Sequence, residues 1–325
     1  MYALGIESTA HTFGIGIVDE KCNVLANSKA AYTHPDAGIH PRLAADHHLQ
    51  HGNKVLEQAL AQAKLSMKDI DVISFAQGPG LGPCLRVGAI TARYLSSKYH
   101  NPLLGVNHCV AHVEIGKKKT PARDPIVVYT SGANTQIIGL ENGKYRVFGE
   151  TLDMGVGNVL DTFGRELGLG FPAGPIIDQR YFQGKNLIPL PYSVKGMDLV
   201  FAGLLTEAEK KIGKADEIDL CYSLMHTAFA MVCEVAERAL AHTEKKEILV
   251  TGGVAASKAL ASMLEKLCAE RGAKLFIVPR EYAMDNGAMI AWQGMIEHRA
   301  GRKQPFAETD VDQRYRTDQV DVFWK

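Results

Sequence analysis

The sequence predicts an α/β protein made of two lobes that share one plan, with a nucleotide-binding cleft between them. Three observations lead to this prediction: a chain of 325 residues, a pattern of short strands that occurs twice, and a polar loop that recurs with the same internal spacing. A chain of this length normally folds into about two domains. We place an N-terminal lobe at residues 1–122, a C-terminal lobe at residues 123–300 and a tail at residues 301–325.

Each lobe is expected to open with three strands joined by tight turns. Apolar and β-branched residues dominate these stretches, and polar turn residues separate them. In the first lobe the strands are predicted at residues 2–6, 13–18 and 23–30. In the second lobe the same order is predicted at residues 126–129, 136–140 and 144–148.

A polar loop joins the first two strands in both lobes. At a constant offset the pattern Ser-x-Ala-x-Thr occurs twice, in the pairs Ser8 and Ser131, Ala10 and Ala133, Thr12 and Thr135. Such loops present backbone N–H groups and hydroxyls that can surround a phosphate. The alternative is that both are only tight hairpin turns. Duplication at matched positions favours an ATP-type site over that alternative.

Helices and further strands follow each copy in the same order. The first lobe is expected to continue with a helix at 43–64, a strand at 72–76, a glycine-rich turn at 78–80, a helix to residue 99 and a strand at 102–106. The second is expected to have a helix at 218–241, a strand at 247–251, a helix at 256–271 and a strand at 274–278. A last helix should end near residue 298. Strand–helix–strand units of this kind build parallel pairs.

His108 and His112 are the first candidates for chemistry. Their spacing puts two imidazoles on one helix face, within reach of one metal ion. The helix follows a predicted strand directly, at the carboxyl end where α/β folds bind ligands. Two unconnected surface histidines remain the alternative. A His-Glu-x-x-His peptidase would carry its base at position 109, and this chain has Cys109 there.

Other polar residues receive weaker predictions. A second histidine cluster is expected to form a structural feature or line the cleft; its members are His34, His40, His47, His48 and His51. Asp161 and Asp178 could accept ribose hydroxyls, and Gly174 would let backbone lie against a sugar or base. Either carboxylate could instead be a helix cap. Asp285 could cap the last helix or bind a metal.

Composition limits the function classes. The 36 basic and 36 acidic residues give zero formal net charge, which does not support a nucleic-acid binder that relies on its own basic surface. The six cysteines have no C-x-x-C spacing and suit buried thiols in a reducing compartment. No signal peptide is expected at the N-terminus, and the most apolar stretch, residues 224–236, is shorter than a membrane span. We therefore predict a cytoplasmic protein without a membrane partner.

Several segments together resemble one known family over essentially the whole chain. They are residues 5–14, 77–83, 107–112, 129–135, 161–163, 251–254 and 285–287. In these segments the sequence is similar to the universal tRNA threonylcarbamoyladenosine synthases in their archaeal and eukaryotic form, the catalytic subunit of the KEOPS complex. The resemblance implies the actin-like ATPase fold of sugar kinases, Hsp70 and actin.

The resemblance also implies the site residues. A metal, iron in the first place and zinc as the alternative, would be held by His108, His112, Tyr129 and Asp285. An adenine nucleotide or acyl adenylate would contact Tyr129, Thr130, Ser131, Gly132, Ala133, Asp161, Gly174, Asp178 and Ser257. Two positions depart from the family: Ser257 replaces a common Asn, and Ser8 replaces a frequent Gly. No general base can be assigned.

The implied activity is transfer of a threonylcarbamoyl group from threonylcarbamoyl-AMP to the exocyclic amine of the adenosine 3′ of the anticodon, in tRNAs that read codons beginning with adenosine. The implied partners are tRNA and KEOPS subunits, among them a small atypical kinase or ATPase and a small dimerising subunit. The kinase is sometimes fused behind the transferase, so residues 301–325 are either a natural tail or a fusion junction. A metallopeptidase and a non-transferase kinase remain competing hypotheses.

Overall fold

A computed structural model describes residues 1–33 and 38–324. The described chain forms two compact units. Unit 1 contains residues 1–118, 142–145 and 284–325, and unit 2 contains residues 119–141 and 146–283.

Unit 1 is built on a five-stranded mixed sheet in the order β3-β2-β1-β4-β5. Its strands are β1 (Tyr2–Glu7), β2 (Thr12–Asp19), β3 (Val24–Ala31), β4 (Val72–Gly78) and β5 (Leu103–Asn107). Its first three helices are α1 (Pro41–Ala63), α2 (Gly82–Tyr99) and α3 (His108–Lys119). β1 pairs antiparallel with β2 and parallel with β4, so the carboxyl ends of β1, β4 and β5 lie at one edge of the sheet.

Unit 2 repeats this plan with the sheet order β8-β7-β6-β11-β12. Its strands are β6 (Ile126–Thr130), β7 (Thr135–Glu141), β8 (Lys144–Glu150), β11 (Glu247–Thr251) and β12 (Lys274–Ile277), with a separate hairpin of β9 (Val194–Lys195) and β10 (Asp198–Leu199). Its helices are α4 (Val156–Glu166), α5 (Gly174–Tyr181), α6 (Ala202–Lys210), α7 (Glu217–Thr243), α8 (Lys258–Arg271) and α9 (Arg280–Ala283).

The last helix, α10 (Gly287–Arg299), packs on the unit 1 sheet. Backbone contacts bring it unusually close to β1 and β2. A β-carbon at Gly5 would lie 2.0 Å from the backbone nitrogen of Ala291, and one at Gly16 would lie 2.1 Å from that of Ala288. Only residues without a β-carbon allow this approach, so the glycines of β1 and β2 fix the position of α10.

The repeated strand order confirms the predicted duplicated α/β plan, and most predicted strands and helices occur within two or three residues of their expected bounds. The C-terminal part differs from the predicted boundaries. Residues 284–300, predicted in the second lobe, belong to unit 1, as do the tail residues 301–324. The physical reason is the close packing of α10 on β1 and β2, a contact between distant parts of the chain.

Helix α7 is long and apolar enough to cross a membrane by length and composition alone. Most of its apolar side chains are instead buried inside unit 2, among them Leu224, Phe229 and Val232. Such burial is typical of the central helix of a folded domain.

Candidate metal centre and the loop of unit 2

His108, His112 and Asp285 meet in unit 1. The Nε2 atom of His112 lies 3.2 Å from the Oδ1 atom of Asp285, and the Nε2 atom of His108 lies 3.5 Å from the same oxygen. One potential ligand atom from each residue falls within 4.8 Å of the others. Both imidazoles are buried. Three donors from two distant segments therefore converge on one small volume.

Two helix ends position these donors. α3 begins directly after β5, and the Asn107 side chain caps it by accepting a hydrogen bond from the Val110 backbone at 3.1 Å. Asp285 lies just before α10, where Asn286 caps the helix by accepting from the Met289 backbone at 3.0 Å. Because α10 is held against β1 and β2, the carboxylate of Asp285 is brought to the start of α3.

Glu7 adds a buried carboxylate at the end of β1. Its Oε2 atom lies 2.9 Å from the Nδ1 atom of His108, and its Oε1 atom accepts hydrogen bonds from the backbone and hydroxyl of Thr9. A carboxylate on one imidazole nitrogen fixes the tautomer and leaves the other nitrogen for a metal. Glu7 is not among the site residues predicted from the sequence. Its only signal was an acidic residue that ends an apolar strand.

The electrostatics favour a cation at this position. Burial alone would lower the pKa of His108, but the neighbouring charge and hydrogen bond of Glu7, together with Asp285, raise it to about 9. Burial works against the charged form of Asp285 as well, yet His112 and His108 hold the pKa of this carboxyl well below its usual range. Burial lowers the pKa of His112. The buried carboxylate of Glu7 and the partly buried carboxylate of Asp285 thus favour a positive charge beside the two imidazoles, either a proton or a metal ion.

These residues fit a metal ion. Two imidazoles and one carboxylate with open positions form the donor set of non-haem iron(II) sites, and zinc accepts the same ligands. The described residues contain no other group of three His, Cys, Asp or Glu side chains with this proximity. Cys109, at the position of the base in a His-Glu-x-x-His peptidase, is a buried thiol. The pair therefore lacks the carboxylate that such a peptidase requires.

In unit 2, the loop after β6 closes on itself. The Ser131 backbone donates to the Asn134 carbonyl at 2.8 Å, and the Ser131 hydroxyl accepts from the Asn134 backbone at 3.0 Å. The start of α4 packs against this loop, since Gly157 and Asn158 donate backbone hydrogen bonds to the carbonyls of Ser131 and Gly132. The predicted nucleotide residues Thr130, Ser131, Gly132 and Ala133 all lie in or beside this loop.

Two buried hydroxyls mark the end of the unit 2 sheet. Thr130 ends β6 and Thr251 ends the neighbouring parallel strand β11. Both side chains are fully buried, and neither hydroxyl has a hydrogen-bond partner within the described part of the chain. Buried polar atoms normally have partners. These hydroxyls could accept or donate a hydrogen bond to a ligand at this edge.

The two predicted ribose-binding carboxylates cap helices. Asp161 accepts from the backbones of Ala173 and Gly174, at 2.8 and 3.3 Å, at the start of α5. Asp178 accepts from the Ser257 hydroxyl and from the backbones of Lys258 and Ala259 at the start of α8. Gly174 and Ser257 thus lie in the same two helix starts. Ligand contacts at these four positions, and at Tyr129 at the end of β6, stay predictions.

The second histidine cluster has mainly structural contacts. His40 caps α1, His47 and His51 stack with their ring centroids 4.1 Å apart, and the Nε2 atom of the buried His48 bonds the Ala10 carbonyl at 3.0 Å. His34 lies outside the described residues. The six cysteines are buried and none is in a disulfide, in line with the sequence prediction.

Comparison with known proteins identifies relatives over the whole chain. The family model of tRNA N6-adenosine threonylcarbamoyltransferase, TsaD, matches residues 22–292. The chain is 53% identical over 326 residues to the tRNA N6-adenosine threonylcarbamoyltransferase of Thermococcus kodakarensis, with full coverage of both chains. It is 49% identical to a probable bifunctional tRNA threonylcarbamoyladenosine biosynthesis protein of Methanosarcina mazei, covering 99% of this chain and 59% of that protein.

Solved structures with low sequence identity share the fold. Component A of the Acidaminococcus fermentans (R)-2-hydroxyglutaryl-CoA dehydratase matches with a TM-score of 0.58 at 15% identity, covering 92% of this chain and 99% of that chain. A Streptomyces griseus ROK family glucokinase matches with a TM-score of 0.51 at 11% identity, covering 90% and 99% of the two chains. At these identities the likeness concerns the fold alone, and it confirms the predicted actin-like, sugar-kinase type of α/β fold.

Proposed function

The chain belongs to the tRNA N6-adenosine threonylcarbamoyltransferase family and is a transferase, and from this premise we propose its donor, acceptor and metal. The donor is threonylcarbamoyl-AMP. The acceptor is the exocyclic amine of the adenosine 3′ of the anticodon, in tRNAs that read codons beginning with adenosine. The family resemblance supplies this substrate pair, and the observation that supports it in this chain is the convergence of His108, His112 and Asp285.

The proposed metal ligands are His108, His112 and Asp285, with Tyr129 as a further ligand implied by the resemblance. Iron is proposed as the native ion and zinc as the alternative, because the donor set suits both. A bound ion would supply Lewis acidity and a fixed point of attachment for the acyl donor. Glu7 would hold the ring of His108, and Thr9 would hold Glu7, so that the ligand nitrogen keeps one direction.

The proposed reaction is an acyl transfer from a mixed anhydride. The adenosine amine forms a C–N bond to the carbamoyl carbon, and the bond from that carbon to the phosphate oxygen breaks. AMP leaves with the electron pair, and the amine gives up one proton.

We propose that the unit 2 loop binds the adenylate part of the donor. Backbone and hydroxyl groups of Thr130, Ser131, Gly132 and Ala133 can bond phosphate oxygens without a charged side chain. The buried hydroxyls of Thr130 and Thr251, which have no hydrogen-bond partner among residues 1–33 and 38–324, support a ligand there. Asp161, Gly174, Asp178 and Ser257 are proposed around the ribose and base.

The proposed partners are tRNA and the subunits of a KEOPS-type complex, in the cytoplasm. The zero net charge supports a shared tRNA surface, because this chain does not carry the basic excess that independent binding would need. The relatives named as bifunctional proteins support a partner activity that can be joined to this one. A small kinase or ATPase and a small dimerising subunit are proposed as the other components.

The direct test supplies threonylcarbamoyl-AMP and tRNA to the purified chain with and without these partners, and measures modified adenosine by mass spectrometry of the digested tRNA. We expect product that depends on the chain and on tRNAs with the matching anticodons. No product with every partner present would overturn the proposal. Metal analysis of wild type and Tyr129→Phe, with adenylate binding measured in parallel, separates the metal from the nucleotide part of the proposal.

A further inference from the structure

The C-terminal strap, residues 308–324, runs along unit 1 and is firmly attached to it. Thr317, Val320 and Val322 are buried. The Val322 backbone donates to the Gly143 carbonyl at 2.8 Å, and Lys144 pairs with Asp321 at 3.0 Å. A segment with buried side chains and backbone pairing is part of the folded unit. Its contacts therefore bear on the elements beneath it.

One set of strap contacts holds the turn between β4 and α2. The Asp312 backbone donates to the Gln77 carbonyl at 2.9 Å, and Gly80 donates to the Gln313 carbonyl at 3.4 Å. At Gly78 the fit is closest, because a β-carbon there would lie only 1.7 Å from the Asp312 carbonyl oxygen. The strap thus lies directly on the turn.

The same turn holds the loop that contains Thr9. The Leu81 backbone donates to the Thr9 carbonyl at 2.8 Å, and a β-carbon at Gly80 would lie 2.6 Å from that oxygen. Thr9 in turn donates two hydrogen bonds to Glu7, which bonds His108. A continuous series of contacts therefore leads from the strap to one imidazole of the metal centre.

A second set of strap contacts holds α3 just before His108 and just after His112. The buried amide of Asn107 caps the helix with its oxygen and donates from Nδ2 to the carbonyls of Tyr315 and Arg316, at 3.0 and 3.3 Å. Two residues beyond His112, the buried Glu114 accepts from the indole nitrogen of Trp324 at 3.1 Å and from the Tyr145 hydroxyl. His108 and His112 lie between these two attachments.

We propose that the strap is a positioning element of the metal centre, which fixes the loop beneath His108 and the part of α3 from its first residue to Glu114. The inference rests on the proposed metal site and adds the source of its rigidity. Metal ligands must be held to within about 0.5 Å for tight binding, and their own support decides this precision. Releasing the strap therefore weakens metal binding while the sheet of unit 1 stays folded.

Two variants release the strap by different means. Gly78→Ala adds a methyl group where the Asp312 carbonyl lies, at a position whose φ is not positive, so the backbone of residue 78 tolerates alanine. Trp324→Phe removes the indole N–H that bonds Glu114 but keeps an aromatic ring. The matched control is Glu308→Gln, which changes an exposed side chain at the start of the strap.

Two measurements on the full-length chain are needed: amide hydrogen exchange of residues 308–324 and of α3, and the Zn²⁺ dissociation constant by competition with a chelator. Both variants should show faster exchange in the strap and in α3, and a Zn²⁺ dissociation constant raised about 3- to 10-fold. This is less than the roughly 10–100-fold typical of a residue that bonds a ligand directly. Glu308→Gln should match wild type in both measurements.

The proposal would be overturned if amide hydrogens of the strap exchange faster in the variants while exchange in α3 and the Zn²⁺ affinity stay at wild-type values. Unchanged strap exchange in Gly78→Ala would also overturn it, because the contact at Asp312 would then be wrong. If wild type binds no Zn²⁺, the proposed metal site is wrong. The exchange of α3 still decides whether the strap positions that helix, so the two failures are distinguishable.

Discussion

The two units carry the same polar loop between their first two strands, but the loops make different contacts. In unit 1 the last strand residue before the loop is Glu7, and in unit 2 the matching residue is Thr130. Glu7 is buried against His108, while Thr130 is buried with its hydroxyl unpartnered among the described residues. The repeated sequence pattern gives both units the same strand–loop–strand arrangement at this position. A carboxylate at this position suits a cation, and a hydroxyl suits an anionic ligand such as phosphate.

The largest effect is expected from removing a proposed metal ligand of unit 1. Asp285→Asn keeps the size of the side chain but removes the negative charge that faces both imidazoles. We expect loss of bound metal, measured by elemental analysis, and a drop of transferase activity of about 100-fold or more, as for a group that acts directly on the reaction. Asp46→Asn, an exposed acid on α1, is the control. Full metal content in Asp285→Asn would remove this residue from the ligand set.

Glu7→Gln tests the carboxylate that ends β1, just before the unit 1 loop. The amide can no longer hold the His108 ring by a charged hydrogen bond, so metal affinity should fall about 10- to 100-fold. The measurement is Zn²⁺ affinity by chelator competition, with thermal unfolding of the metal-free protein to detect a general loss of structure. Glu57→Gln, an exposed acid on α1, serves as the matched control. Wild-type affinity in Glu7→Gln would show that Glu7 does not act through His108.

Thr130→Val tests the matching residue of unit 2. Valine has nearly the same shape as threonine, and the hydroxyl that it replaces has no partner in the described structure. We expect unchanged or slightly higher stability, but adenylate binding weaker by about 3- to 10-fold, a loss of about 1 kcal/mol that is typical of one hydrogen bond. Metal affinity should not change. Calorimetry and thermal unfolding measure these quantities, and lower stability with normal adenylate binding would contradict the ligand role.

The smallest effect at neutral pH concerns His48, which lies beneath the unit 1 loop. Burial lowers its pKa from 6.5 to about 4, although the hydrogen bond to Ala10 opposes this change. Because the folded-state pKa lies below the unfolded value, the contribution of neutral His48 to stability is fully present above pH 6.5 and is lost as the pH falls toward 4. Between pH 6.5 and 4, the free energy of unfolding of wild type should therefore fall by about 1 to 3 kcal/mol more than that of His48→Gln.

Urea unfolding at several pH values measures that profile. His242→Gln is the control, since it changes a histidine of unit 2 that lies against Phe148 rather than beneath the loop. An unchanged slope between pH 6.5 and 4 in His48→Gln would show that another group carries the pH dependence.

Individual site residues differ in how well the sequence predicts their contacts. The spacing of His108 and His112 predicted two donors on one helix, and α3 places them as expected. Asp285 came from the family resemblance and from its place before a helix. Glu7 was missed because a single acidic residue at a strand end has no periodic signal. Asp161 and Asp178 were given cap and ribose roles as alternatives, and their backbone bonds appear only when α5 and α8 are placed.

The sequence by itself determined the duplicated order of strands, helices and loops, because alternation, helical spacing and turn residues are local properties. Only the tertiary structure decided which distant residues meet. Asp285 lies 173 positions from His112, and the approach depends on α10 packing on the glycines of β1 and β2. The contacts of the strap with α3 likewise join segments that are far apart in the sequence. Local patterns specify elements, but the contacts between elements depend on complementary surfaces formed only in the folded chain.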